Sequence, residues 1–197
     1  NNKIAYNFKV TKTNNDVRFD DSYISFFTNN NKVISLNRAS KWWSPSENGS
    51  LILSNEARPF INISYGNNIS NELSIKDLKL LYDYSFFIGQ LEKNREIGKA
   101  KLLGAHVTLY PHENFSFSLF RVAQFGGVNR DESLSTILNI LIGRENIGSN
   151  NINSKNDPGN QLAGIDFVYF FNSHNGSRIY GQFVGEDEAG YLPSRFI

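Results

Sequence analysis

The stretch LKLLYDYSFFI, residues 78–88, alternates between two kinds of side chain. One face of an extended chain here is entirely apolar or aromatic, with Leu78, Leu80, Tyr82, Tyr84, Phe86 and Ile88. The other face mixes polar and apolar residues, with Lys79, Leu81, Asp83, Ser85 and Phe87. Because successive side chains of a strand point to opposite faces, the pattern predicts a β-strand. Its length matches the ~9–11 residues that a tilted membrane-spanning strand needs.

The same period of two recurs along the chain and predicts further strands. Alternating apolar residues occur in three other clear sets: Ile4, Tyr6, Phe8 and Val10; Leu103, Ala105, Val107 and Leu109; and Ile165, Phe167, Tyr169 and Phe171. We count about ten strand-like segments, and membrane barrels close from ~8 strands upward. The sequence therefore predicts an all-β antiparallel fold, with a transmembrane β-barrel as the leading interpretation.

The connections between these segments differ in length. Residues 110–114 and 173–177 predict tight turns, the second around the pair Asn175-Gly176. Between them, residues 127–160 form a long polar excursion with one predicted short helix from Leu134 to Ile142. Short turns at one end and long loops at the other are typical of outer-membrane barrels. A soluble β-sandwich also has unequal loops, so this feature leaves both architectures open.

Composition narrows the function classes. The 197 residues suit one domain, and a formal net charge of +1 offers no broad basic surface for nucleic acid. The absence of Cys excludes disulfides and thiolate metal sites. No apolar run approaches the ~18 residues of a membrane-spanning helix. Because the chain also lacks Met and begins at Asn1, we expect residues 1–197 to be a partial barrel domain, incomplete at both ends.

No arrangement of residues requires an enzyme. The carboxylates of Glu186, Asp187 and Glu188 are adjacent on a predicted strand, so they point to alternate faces and do not form a ready catalytic pair. The three histidines have no recognised metal-ligand spacing. We therefore expect no catalytic residues, no metal and no cofactor.

The densest motif is KWWSPSENGSLILSNEARP, residues 41–59. Trp42 and Trp43 have flat rings that could stack on sugars. Nearby polar groups could bond sugar hydroxyls: Glu47, Asn48, Asn55 and Arg58. The alternative is that the tryptophans are packing or membrane-interface residues, each with its indole N–H satisfied.

Four ordered segments resemble the Wzi capsule-assembly family. The first is residues 42–45 (WWSP) with 50–55 (SLILSN) and 57–59 (ARP); the others are residues 120–127 (FRVAQFGG), 160–166 (NQLAGID), and 180–182 (YGQ) with 185–188 (GEDE). The first motif is long and specific, and the other three gain weight from their order. The sequence departs from the family pattern at Ser44, where Gly is usual after the tryptophans.

The resemblance implies a large outer-membrane barrel of Gram-negative bacteria with helical elements occluding its lumen. It also implies a surface lectin that helps attach and assemble capsular polysaccharide, neither an enzyme nor the export channel. The implied partners are surface polysaccharide and outer-membrane lipid, with a monomer expected. The family-like segments add Arg121, Gln124, Asp166 and Asp187 to the polysaccharide-binding candidates, with lumen-filling structure as the alternative role.

The two strand faces fit a barrel wall, with one exception. The alternation sets Asp83, His106, Asp166 and Gln182 opposite the apolar faces, as in a polar lumen. Arg121, however, shares its parity with the apolar Phe117 and Leu119. Either a β-bulge redirects Arg121, or the aromatic face of this strand points inward.

Two other functions remain open, a diffusion porin or transporter barrel and a soluble β-sandwich carbohydrate enzyme.

Overall fold

The computed structural model describes residues 3–14, 16–75, 78–135, 137–138, 160–171, 176–189 and 192–196. Over these residues the chain forms thirteen strands: β1 (Lys3–Asn7), β2 (Thr11–Thr13), β3 (Asp16–Arg18), β4 (Tyr23–Phe27), β5 (Lys32–Asn37), β6 (Ile61–Asn67), β7 (Asn71–Ile75), β8 (Leu78–Gln90), β9 (Lys101–His112), β10 (Phe115–Phe125), β11 (Gln161–Phe170), β12 (Arg178–Ala189) and β13 (Leu192–Phe196). No helix in this described part is long and apolar enough to cross a membrane.

Eleven of these strands form one antiparallel sheet. Its order is β1-β4-β5-β6-β8-β9-β10-β11-β12-β13, with β7 paired to the first part of β8, while β2 and β3 form a separate hairpin. Nearly every strand therefore lies beside its neighbour in sequence, as in an up-and-down meander. Within the described residues β1 and β13 do not pair, so the sheet is open.

The register divides the sheet into two faces. We call the first the covered face; from β8 to β12 it carries Phe87, Gly104, Phe120, Gly164 and Val184. Phe87, Phe120 and Val184 are each less than 5% exposed. We call the other the apolar face. It carries large side chains that remain exposed, including Ile63, Phe86, Leu119, Ile179 and Phe183.

Small polar residues satisfy one another across the covered face. Ser25 and Ser35 share a 2.6 Å hydrogen bond between neighbouring strands, and Thr108 and Ser118 share one of 3.1 Å. The buried carboxyl of Asp166 accepts a hydrogen bond from Ser118. The covered face also carries Asp83, His106 and Gln182, as the alternation predicted.

The three longest connections lie at one end of the sheet: residues 8–22, 38–60 and 126–160. Residues 91–100 and the two residues 190–191 connect strands at the same end. At the other end the connections are residues 28–31, 113–114, 171–177 and 68–77, the last of which includes β7. The predicted asymmetry therefore holds for the longest connections and not for every one.

Three local predictions change. The turn predicted over residues 110–114 is only residues 113–114, because β9 continues to His112. The turn over residues 173–177 lies mostly outside the described residues. The helix predicted from Leu134 to Ile142 is seen as one turn, in which the Ile137 N–H donates to the Ser133 carbonyl at 3.2 Å, and residues 139–142 are not described.

The register also resolves the position of Arg121. The irregularity between β9 and β10 falls between Phe115 and Phe117, near the short turn. Beyond it the pairing is regular, so Leu119 opposes Val107 and Arg121 opposes Ala105. Arg121 therefore lies on the apolar face with Leu119, and neither sequence-based explanation applies.

Gly104 gives a test of packing on the covered face. A Cβ at this position would overlap the Phe87 ring and lie 2.8 Å from the Trp43 ring. We expect Gly104→Ala to destabilise the full-length protein by ~1–3 kcal/mol, the usual cost of overpacking. Heat-dependent electrophoretic mobility of the folded protein in detergent measures the change.

Gly49→Ala is the matched control, because nothing lies within 4 Å of a Cβ there. Equal stability of the two variants would contradict the close packing described at Gly104.

Candidate functional site

Residues 38–60, which we call the inward segment, connect two adjacent strands by an unusual route. Strands β5 and β6 pair directly, so a short turn would have sufficed. Instead the segment crosses the covered face as far as β12, on the other side of β8, β9, β10 and β11. There the Leu51 N–H donates to Gln182 Oε1 at 2.8 Å, and Gln182 Nε2 donates to the Trp43 carbonyl at 2.6 Å. One side-chain amide thus holds both arms of the segment.

Local hydrogen bonds shape the segment, in which no described residue is helix or strand. The Trp42 indole N–H donates to the Ser46 carbonyl at 2.9 Å, and the Trp43 N–H donates to the Leu53 carbonyl at 3.3 Å. The hydroxyl of Ser44 accepts from the Ser46 N–H at 3.1 Å. Serine, which replaces the usual glycine of the family pattern, therefore supports the turn through its side chain.

Trp43 is a packing residue of this arrangement. Its ring centroid lies 5.3 Å from that of Phe87 and 5.1 Å from that of His106. The His106 ring in turn stacks on Phe120, with centroids 6.0 Å apart and planes 7° apart. This row of rings fixes the inward segment to the middle of the sheet by apolar contact.

Ion pairs hold the segment at two points, Glu47 and Arg58. Glu47 accepts from Arg178 of β12 at 2.7 Å, although the Glu47 side chain is 81% exposed, which limits such a pair to ~1 kcal/mol. Arg58 lies 3.2 Å from Asp16 and 3.7 Å from Asp20, both in the connection between β1 and β4. The ion pairs of Arg58 therefore join the segment to the neighbouring long connection.

A cavity of about 190 Å³ lies beside the inward segment. Apolar side chains, including Leu53, Phe60, Leu91 and Leu102, form part of its lining, and the polar residues lining it are Ser40, Lys41, Ser54, Arg58, Arg95 and Gln124. Burial lowers the pKa of Lys41 to about 8, and its Nζ lies 4.7 Å from the Phe87 ring centroid. Within the described residues no carboxylate forms an ion pair with Lys41. Three cationic residues and an amide thus meet around one small space.

The structure brings together some of the predicted site residues and separates others. The inward segment holds Trp42, Trp43, Glu47, Asn55 and Arg58, and Gln124 lines the same cavity as Arg58. Asp166 lies on the covered face, where its β-strand neighbour is Gln182. Asp187 belongs to β12, but its side chain is not among those described. Arg121 lies apart on the apolar face and donates to the side chain of Gln161.

Sequence reasoning missed three residues that organise the site. Gln182 and Arg178 fix the inward segment, and Lys41 supplies the cavity with a cation. Gln182 already stood in a family-like segment, and Lys41 begins the densest motif, so both positions carried a signal. No group of three His, Asp or Glu side chains in the described part of the chain is arranged to hold a metal ion.

These features define a wall of a β-barrel whose covered face is occupied by a loop. A model of the capsule assembly protein Wzi family matches residues 2–196, so the chain belongs to that family. An uncharacterized 55.8 kDa protein in the cps region of Klebsiella pneumoniae is 32% identical over 168 residues, which cover 83% of this chain and 32% of that protein.

A solved structure shows the same fold. It is Wzi, described as an outer membrane protein involved in group 1 capsule assembly in Escherichia coli and as a carbohydrate-binding β-barrel. The TM-score is 0.70 at 26% identity, covering 91% of this chain and 37% of that chain. The chain thus spans about a third of the length of these relatives. The predicted family, all-β antiparallel fold and outer-membrane location are confirmed.

The Gln182 amide gives a test of how the inward segment is held. Gln182→Leu leaves the exposed Leu51 N–H and the half-buried Trp43 carbonyl without this partner, and the loss at the half-buried carbonyl costs ~1–3 kcal/mol. We expect chymotrypsin to cut the segment at Trp42, Trp43 or Leu51 at least roughly tenfold faster, since each ~1.4 kcal/mol is tenfold in an opening equilibrium. Limited proteolysis of the full-length protein in detergent measures this rate.

Gln90→Leu is the matched control, because Gln90 contacts Lys101 rather than the segment. A Gln182→Leu variant that resists chymotrypsin as well as this control would show that other contacts hold the segment.

Lys41 gives a prediction with a pH dependence. Because its pKa falls from 10.5 to about 8 on folding, the charged form costs stability below pH 8, and the cost disappears as pH rises to 10.5. We expect Lys41→Met to raise the free energy of unfolding by roughly 1–3 kcal/mol at pH 7, at ~1.4 kcal/mol per pKa unit and less the contact with Phe87. The gain shrinks between pH 8 and 10.5.

Thermal unfolding of the full-length protein at several pH values measures this gain. The exposed Lys93 supplies the control variant Lys93→Met, for which we expect no change. A Lys41→Met variant that is less stable than the wild type at pH 7 would contradict the burial of an uncompensated charge.

Proposed function

We propose that this protein binds capsular polysaccharide at the surface of the outer membrane and helps to keep it attached there. The family assignment and the carbohydrate binding described for the solved relative support the proposal. The chain itself supplies the polar and aromatic groups that a glycan site uses, on the inward segment and around its cavity.

One observation carries the proposal: the inward segment lies across the covered face and is held on β12 by Gln182 and Arg178. In outer-membrane barrels the longer connections are extracellular. The long connections of this chain gather at one end of the sheet, and the inward segment is one of them. A glycan arriving from outside the cell would meet this end first.

The same observation argues against a diffusion porin or transporter. A porin keeps a polar, water-filled lumen, whereas the covered face here is occupied by a packed segment with Trp43 against Phe87 and His106. The side chains of this face are also largely satisfied by each other. The arrangement suits an occluded barrel that presents a surface.

The proposed role is not catalytic. Glu186, Asp187 and Glu188 are consecutive residues of β12, and the sequence pattern does not make them a ready catalytic pair. Glycoside hydrolysis requires two carboxyl groups on either side of one bond. The soluble carbohydrate-enzyme alternative also conflicts with the broad exposed apolar face.

Deleting the full gene in its encapsulated host tests the proposal. We expect the total polysaccharide to stay unchanged while a larger share is released into the medium, because export continues and attachment fails. Quantifying cell-bound and free capsule measures the shift, and complementation with the intact gene should reverse it.

An unchanged ratio of bound to free capsule would contradict the attachment role. Single-channel conductance of the purified full-length protein then tests the porin alternative. A porin would pass a large current, whereas an occluded barrel passes little.

A further inference from the structure

Lys41 is an unusual cation in this fold. The other charged groups of the site have carboxylate partners: Arg58 with Asp16 and Asp20, Arg95 with Glu92 at 2.6 Å, and Arg178 with Glu47. Lys41 has only the face of the Phe87 ring, at 4.7 Å, among the described residues. Lys41 is half-buried, and a charge that is partly removed from water is costly unless something pairs with it.

The cavity beside Lys41 has polar groups suited to a sugar acid. Arg58 and Arg95 line it, and their side chains are 34% and 45% exposed despite their carboxylate partners. The side chain of Gln124, which also lines it, forms no hydrogen bond within the described part of the chain. Phe60 and Leu53 supply apolar surface against which a sugar ring could pack.

The size of the cavity limits its occupant. At about 190 Å³ it falls below the ~300–1,000 Å³ of pockets for drug-sized ligands. It suits one sugar residue of a chain. It also lies between the inward segment and the 91–100 connection, at the end of the sheet that collects the long connections.

We propose that this cavity binds the carboxylate of a single uronic acid residue of the polysaccharide, with Lys41 as its counter-ion. The proposal rests on the polysaccharide-binding function proposed above and specifies its ligand. Arg58 and Arg95 stay paired with their own carboxylates, and their positive charges also attract the bound carboxylate. The side-chain amide of Gln124 forms a hydrogen bond with a hydroxyl of the sugar ring. A sugar carboxylate beside the Lys41 ammonium would be the negatively charged partner that no described residue provides.

The cost of the lysine strengthens the inference. Burial lowers the pKa of Lys41 to about 8, because desolvation disfavours the charged form. An uncompensated charge in a packed site is typical of binding residues. It also makes the test clean, because Lys41→Met is expected to stabilise the protein, so any lost binding does not come from unfolding.

The test compares two probes, the capsular polysaccharide of the host and the same polysaccharide after chemical reduction of its carboxyl groups to alcohols. Surface plasmon resonance with the full-length protein in detergent measures both affinities. We expect reduction to weaken binding to the wild type at least tenfold. Lys41→Met should weaken binding of the native polysaccharide by a similar factor and leave the reduced one unchanged, whereas Lys41→Arg should retain most of the affinity and Lys93→Met all of it.

The outcomes separate the two proposals. Equal binding of native and reduced polysaccharide, or wild-type affinity in Lys41→Met, overturns the uronic acid site and leaves the function intact. Tight binding of a host polysaccharide that contains no carboxylate also overturns the site. Failure of the wild type to bind either probe overturns the function itself.

Discussion

The side-chain amide of Gln182 is the contact on which the covered face depends. An irregular segment that crosses a packed surface must find partners for its backbone N–H and C=O groups. The amide meets this need with one donor and one acceptor, joining the Trp43 carbonyl and the Leu51 N–H to β12. Trp43 packs against Phe87 and His106, and residues of the attached segment line one side of the cavity. This attachment, together with the ion pairs of Glu47 and Arg58, positions the candidate glycan contacts of residues 38–60.

The two faces of the sheet carry different kinds of side chain. On the apolar face, large side chains such as Ile63 and Phe183 remain about half exposed, which lipid tolerates and water does not. On the covered face, paired hydroxyls such as Ser25 with Ser35 satisfy each other inside the wall. Gly104 lets aromatic rings approach the backbone where the inward segment crosses. The wall can therefore face lipid outside and hold a loop inside while most hydroxyls of the covered face are paired; Asn62 Oδ1 is a buried acceptor that has no hydrogen bond among the described residues.

Sequence periodicity predicted the faces well because side-chain direction is a local property. It placed residues 78–88 correctly and set Asp83, His106, Asp166 and Gln182 on one face. It could not place Arg121, since one bulge anywhere in β10 reverses parity, and only the pairing shows that the irregularity precedes Phe117. Within the site, the motif at residues 41–59 was visible, but its partner Gln182 is 131 residues from Leu51, and no local pattern reports such a contact. The uncompensated burial of Lys41 was equally invisible, because it depends on which carboxylates lie near it in space.

Rigidity and unsatisfied charge have separate sources in this structure. Hydrogen bonds, stacked rings and the Arg58 and Arg178 ion pairs fix the inward segment, and each of these contacts is complete within the fold. Lys41 contributes to that frame through its contact with the Phe87 ring, and we expect its uncompensated charge to reduce stability. A frame that holds its shape without help can keep one cation poised for an external anion, since little reorganisation is then needed when the anion arrives. A glycan bound here would therefore be held by a preformed site, and its acidic residue, more than its overall shape, would decide which polysaccharide is retained.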